Sequence, residues 1–427
     1  MHQKMNNINM KKIFLWLITS TMLFSAECFA QYTLDNCQTK AKDNYPMIVQ
    51  YGLIESSREF RIENANKNYL PQISLSAKAS YQSEVTEVPF TLPGATIKSM
   101  SKDQYSAVIQ LEQTIWDGGM TVSQKEGIKA QAALEKRKLD VDIYALKERV
   151  NQLFFGIVLL DEQLLQVEIL KRDLDRSYKQ VSAYMQNGMA NQSDIDAVKV
   201  EQLNTLQRET ELLANREAFV SMLSAMIGEQ INPDATFEKP ATLAYSKENK
   251  RLELDFFQAQ NLLYDSQSSL VTAKNRIKTG AYIQAGYGRP GLNMLNAEFS
   301  PFYIAGVKIA WNFGGLYTKK NELRLIDISR RTTDNQKEIF LYNTNLKSTQ
   351  QDVAINKIKR LMERDDELIT LRENIKRAAE AKLENGTISV SELLREINLL
   401  DIARTNRAKH DIELRMAIYD LKNTNNN

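Results

Sequence analysis

Cysteine and histidine are almost missing from this chain of 427 residues, which has two Cys and two His. Cys28 and His2 fall within the first thirty residues, so beyond them only Cys37 and His410 remain. A lone cysteine forms no internal disulfide, and a lone histidine excludes a histidine-based metal cage and a His-dependent catalytic triad. Cys37 reads as a small buried residue on a helix, and His410 as a solvated position on a coiled-coil helix. An excess of either charge is also lacking. The chain has 55 Lys+Arg against 53 Asp+Glu, and without its first thirty residues 52 of each. A neutral chain gives no electrostatic basis for a nucleic-acid partner. No nucleophile–base pair, glycine-rich phosphate loop or metal cluster is visible, and the abundant acids read as solvated charges on helix surfaces. Neither an enzyme nor a cofactor-binding protein is expected.

What is present begins with an export pattern. Lys4, Lys11 and Lys12 precede a 12-residue apolar run, Ile13 to Phe24, which is too short to span a bilayer. Cys28-Phe29-Ala30 then offers small residues at the positions that a cleavage site before Gln31 requires. Residues 1–30 are therefore expected to be a signal peptide. Glu27 stands where a lipoprotein signal needs a small residue, which favours simple cleavage.

The stretch from Tyr105 to Ser193 organises the rest. An alternating run ends in Trp116-Asp117-Gly118-Gly119, and no proline or turn cluster follows until Asn187-Gly188. The spacing predicts one helix ~100 Å long at 1.5 Å per residue. Leu139, Ile143, Leu146, Val150, Leu153, Ile157, Leu160, Leu164 and Val167 step by fours and threes. That heptad row keeps one stripe against a neighbouring helix. Lys171 interrupts it, and Leu174, Tyr178, Val181 and Met185 resume it.

The same order occurs again. Trp311-Asn312-Phe313-Gly314-Gly315 repeats the join, and a second long helix from about Leu316 to Glu384 stops at Asn385-Gly386. Gly118 and Gly314 are 196 positions apart, and Gly188 and Gly386 are 198 apart. An internal duplication explains this register. The first repeat is expected over 31–228, a linker with Pro233 and Pro240 over 229–249, the second repeat over 250–422, and a polar disordered tail over 423–427. The second seam is weaker: Ile339, Tyr342, Leu346 and Val353 fit, and then the phase slips. In its partner helix, Arg404, Arg407 and Asp411 interrupt the apolar stripe.

Four runs alternate, at 72–81, 105–115, 280–287 and 303–311. In the first, Ile73, Leu75, Ala77, Ala79 and Tyr81 oppose Gln72, Ser74, Ser76, Lys78 and Ser80, the pattern of a tilted barrel strand with lipid outside and water inside. Tyr81, Tyr105, Trp116, Tyr287, Tyr303 and Trp311 near the strand ends suit an aromatic girdle. Four strands cannot close a barrel, for which about eight are needed. An open edge in lipid leaves backbone groups unpaired at several kcal/mol each. Several chains must therefore pool their strands. Two would give eight around a filled interior, and three would give twelve around a lumen.

Taken together, the duplication, the two joins and the two turns resemble the TolC-type outer-membrane efflux protein family over the whole mature chain. The turns read Asn187-Gly188-Met189-Ala190-Asn191-Gln192-Ser193-Asp194 and Asn385-Gly386-Thr387-Ile388-Ser389-Val390-Ser391-Glu392. The resemblance implies an α+β membrane protein: a homotrimeric 12-strand outer-membrane β-barrel, four strands per chain, continuous with a long periplasmic α-helical coiled-coil barrel. It implies three partners, namely outer-membrane lipid, a periplasmic adaptor protein and an inner-membrane pump of the proton-driven efflux type. It places a closed gate at the periplasmic tip, where the family's acidic residues fall on Asp194 and Glu392. Arg395 stands where members often carry a second acid, which hints at a salt-bridge latch. The tip turns, with Asn187, Gly188, Ser193, Asn385, Gly386 and Ser391, would contact the adaptor, and Gly118, Gly119, Gly314 and Gly315 mark the strand-to-helix joins. Like carboxylates brought together at a constriction favour cations. The same two acids also suit helix caps or first-turn positions.

The expected function is a passive exit duct for small toxic compounds. An exit duct for secreted protein or peptide would look alike in sequence. A soluble coiled-coil scaffold would explain the heptads, but neither the export pattern nor the alternating runs.

Overall fold

The computed structural model describes residues 31–86, 100–242, 244–246, 248–294 and 296–426. The expected signal peptide lies outside them, as do Pro89, Pro93 and Gly94, which composition would place in an external loop. The chain opens with α1 (Leu34–Asn44), a 3-10 turn at Pro46–Val49 and α2 (Gln50–Asn66). Pro46 has no N–H to donate, so it restarts the helical path at a position that needs none. A second 3-10 turn, Lys67–Tyr69, leads into β1 (Gln72–Tyr81). Next come β2 (Asp103–Trp116), α3 (Met120–Gln186) and α4 (Gln192–Ile227). The second repeat supplies α5 (Leu252–Lys274), β3 (Lys278–Arg289), β4 (Ser300–Ala310), α6 (Gly314–Glu384) and α7 (Val390–Asn425). The long helices α3 and α6 have 67 and 71 residues, each ~100 Å from end to end.

The polar tail expected at 423–427 is a helix through Asn425. Thr424 and Asn425 are buried, and the Asn425 carbonyl accepts from the Lys250 N–H at 2.8 Å. Ser348 donates to the Asn425 side chain at 2.9 Å. Composition alone favours solvent there, but the start of the second repeat lies against this turn and supplies its partners.

One antiparallel sheet has the order β1-β2-β3-β4. Leu75 faces Ile109, which faces Ala285, so the apolar rows line up on one side. Those rows lie open: Leu75 is 74% exposed, Tyr303 77% and Val307 78%. β1 and β4 each pair on one side only, so the sheet ends in two free edges.

Packing elsewhere centres on α3, which touches α1, α2, α4, α5 and α7. Near its middle, Phe154, Phe155 and Ile157 form a buried core with Cys37, Leu223 and Ile412. Cys37 is fully buried, and burial pushes its thiol up to about 11. The first described residues close onto this core. The Tyr32 N–H donates to the Thr236 carbonyl at 3.0 Å, the Glu238 N–H donates back to Tyr32 at 2.9 Å, and the Tyr32 ring stacks on Phe237. Arg216 braces the same linker, donating to Asp161 at 2.5 Å and to the Ala235 carbonyl at 2.8 Å.

Candidate gate and strand-to-helix joins

Two helical turns at one end of the rod are built alike. Gly188 and Gly386 take φ values of +71° and +66°, a left-handed step that ends α3 and α6 and that glycine adopts without a Cβ penalty. Just before them, the side-chain amides of Asn187 and Asn385 donate to the Ala183 and Ala381 carbonyls at 2.9 and 2.8 Å. Each following helix then starts with a reciprocal cap. Asn191 accepts from the Asp194 N–H at 3.2 Å, and the Asp194 carboxylate accepts from the Asn191 N–H at 3.0 Å. Ser389 and Glu392 repeat the exchange at 3.2 and 2.9 Å. Orphan donors of the first turn are satisfied in both. Ser193 and Ser391 sit one position earlier, exposed.

Both candidate acids are therefore held in place by their own caps. The Ser389 N–H and hydroxyl hold the Glu392 carboxyl below the usual range, with Arg395 and Lys382 adding to it. Arg395 is largely exposed and pairs with Glu396 at 3.1 Å. Glu396 in turn accepts from Arg372 at 3.4 Å.

Beneath the turns, Leu174, Val181, Ile195, Leu393 and Ile397 form one apolar core shared by the two repeats. Polar residues that break the heptad stripes turn out to be paired with neighbouring helices or the linker. Lys171 pairs with Glu209 at 3.1 Å. Asp173 of α3 meets Lys376 of α6 at 2.8 Å, with Arg404 of α7 at 3.8 Å. Arg404 also donates to Glu373 at 2.7 Å, Arg407 to Asp366 at 3.0 Å, and Lys239 to Asp411 at 3.2 Å. His410, expected to be solvated, lies 2.7 Å from the buried Asp365. Of these, Asp173–Lys376 and His410–Asp365 are nearly buried, where losing one partner costs more than the pair contributes. Sequence reasoning missed them because their partners are distant along the chain; the one available signal was a charge in an apolar row.

At the opposite end the two joins differ. Gly118 and Gly119 both have positive φ, +75° and +83°. A Cβ on Gly118 would stand 2.9 Å from the Arg276 Cβ and 3.0 Å from the Ala273 carbonyl, so only glycine lets β2 pass so close to the end of α5. Asp117 caps α3 by accepting from the N–H groups of Gly119, Met120 and Thr121 at 2.9, 3.1 and 2.7 Å, and from the Tyr69 hydroxyl at 2.9 Å. Burial pushes its carboxyl up, but hydrogen bonds from Thr121, Tyr69 and Gly119 outweigh that and leave it below the usual range. At the second join, Asn312 accepts from the Gly314 N–H at 3.0 Å, and the Trp311 indole N–H donates to the Asn275 carbonyl at 3.1 Å. Neither Gly314 nor Gly315 needs a left-handed backbone.

Among the described residues no helix is long and apolar enough to cross a membrane. Residues 40–229, most of the first repeat, match the family model described as outer membrane efflux protein. Direct comparison with curated proteins gives no match. Solved structures similar to this chain include the outer-membrane channel OprN, with 13% identity and a TM-score of 0.68 over 92% of this chain and 89% of that one. The Campylobacter jejuni CmeC outer membrane channel has 11% identity and a TM-score of 0.63 over 93% and 86%. The open Neisseria gonorrhoeae MtrE outer membrane channel has 13% and 0.63 over 92% and 88%. At such identities the likeness is one of fold, and it spans both repeats.

Proposed function

We propose that this chain, whose fold is that of the TolC-type outer-membrane efflux channels, is one third of a passive exit duct. Three copies close a twelve-strand barrel in the outer membrane and continue into the periplasm as a helical tunnel. The duct conducts small toxic compounds handed over by an inner-membrane pump of the proton-driven type through a periplasmic adaptor. The observation that carries this is the pair of free sheet edges beside an exposed apolar face. In lipid every unpaired backbone group at β1 and β4 costs several kcal/mol. Seating β4 of one copy against β1 of the next removes that cost. The seam of α6 supports the same assembly: Ile339, Tyr342, Leu346 and Val353 are 53%, 67%, 53% and 64% exposed. A heptad stripe this open is complete only against another helix. Purified from membranes in detergent, the protein should have the mass of three chains and form conducting pores in planar bilayers. A stable water-soluble monomer without detergent sinks the proposal.

The gate belongs at the tip, with Asp194 and Glu392 facing the aperture, Arg395 moderating their charge, and the exposed turns at Asn187, Gly188, Ser193, Asn385, Gly386 and Ser391 offered to the adaptor. Capping and gating separate experimentally. Asp194→Asn with Glu392→Gln keeps a side-chain oxygen for each cap and removes both charges. Cation preference and single-channel conductance should change while the melting temperature holds. Unaltered currents would remove these acids from the gate.

A further inference from the structure

The face of the sheet opposite the apolar rows carries three lysines and one acid. Lys78 on β1, Lys278 on β3 and Lys308 on β4 are exposed, and among the described residues none of them forms an ion pair. Glu112 on β2 is the only acidic strand residue on that face. Lys308 stands opposite Gly280 and Lys278 opposite Ala310, so these two cations lie on adjacent strands within one pleat, at the end of the sheet nearest the helices.

Aromatic rings lie between them and Lys78, each seated over a glycine of the neighbouring strand. The Phe302 ring covers Gly286, where a Cβ would stand 2.5 Å from it. The Tyr282 ring covers Gly306, where a Cβ would stand 3.0 Å from the phenol oxygen. Val108 completes a row with Gly286 and Phe302 across three strands. Each glycine gives its neighbour's ring room against the wall, so the rings add apolar surface to the bore between the cations.

We propose that the barrel section of the duct takes amphiphilic organic anions, carboxylates or sulfonates on an aromatic or aliphatic body. This rests on the duct reading, which makes this face the lumen. Three lysines less one glutamate leave +2 per chain, and low-dielectric walls focus such a field on a passing charge. The rings take the apolar body, which inorganic anions lack. The acids of the tip are ~100 Å away along α3, about ten screening lengths at 0.1 M salt, so the two ends act separately on cargo.

Planar-bilayer recordings of the trimer test this. Naphthalene-2-sulfonate, added on the barrel side, should block current at a concentration about tenfold or more below that of sulfate or of a naphthyl trimethylammonium cation, a gap of about 1.4 kcal/mol. Lys278→Gln with Lys308→Gln should raise the blocking concentration about tenfold and shift the reversal potential in a KCl gradient toward cations. Phe302→Ala should weaken the block and leave the reversal potential in place. If conducting trimers show no preference for the aromatic anion, or the lysine variant moves neither quantity, the inference falls and the duct stands. If no conducting trimer forms, both fall together.

Discussion

The two long helices come from one duplicated unit, yet they are buried very differently. α3 is enclosed by five helices of its own chain, and its seam from Leu139 to Val181 is largely buried. α6 touches chiefly α7 and α5 and leaves Ile339, Tyr342, Leu346 and Val353 open. The sharp heptad row is the one used inside the chain. The looser one is left open within the chain, and in the proposed trimer it is the stripe that would meet another copy. Duplication therefore yields one helix that holds the subunit together and one whose apolar stripe has no partner within it.

That contrast can be broken from either side. Leu174→Ala, at a fully buried position of the α3 core, should cost about 2–5 kcal/mol of fold stability, read as a large fall in the denaturation midpoint with helicity lost. Tyr342→Glu with Leu346→Glu should leave the folded subunit intact and abolish the trimer in detergent, read as mass by light scattering. A trimer that survives this pair of charges would mean that α6 is not an intersubunit helix. The joins sharpen the comparison on a smaller scale. Gly118→Ala meets both a left-handed backbone and the Arg276 side chain, and should cost about 1–3 kcal/mol. Gly314→Ala, with an ordinary backbone and a Cβ 3.2 Å from only the movable Asn312 side chain, should cost less, at most about 1 kcal/mol. Equal effects would show that the joins are equivalent after all.

The smallest effect concerns Asp420, where the repeats meet. Burial, and the nearby Glu148 charge, push its carboxyl up to about 6, with Lys347 opposing. An acid with a raised folded value is penalised when charged, so its contribution to stability improves as pH falls from 7 through 6 toward its unfolded value near 4. Asp420→Asn should raise the melting temperature at pH 7.5, with the gain shrinking toward pH 4. A gain independent of pH would point to packing instead.

Much of this architecture is legible in the sequence because it depends on short periods. The alternating run at 72–81 coincides with β1, and the Gly-Gly pairs mark both strand-to-helix joins within a few residues. The turns at Gly188 and Gly386 are visible for the same local reason. What escapes is set by partners far away in sequence. Asp173 finds Lys376, His410 finds Asp365, and Asn425 finds Lys250. Nothing in a local window shows that Asn423 to Asn425 continue a helix, or that Phe302 packs over a glycine one strand away.

The clasp at Tyr32 bears on how the molecule matures. Its backbone partners, Thr236 and Glu238, come about two hundred residues later. Synthesis runs from the amino end, so the opening segment has no backbone partners until the linker has been made.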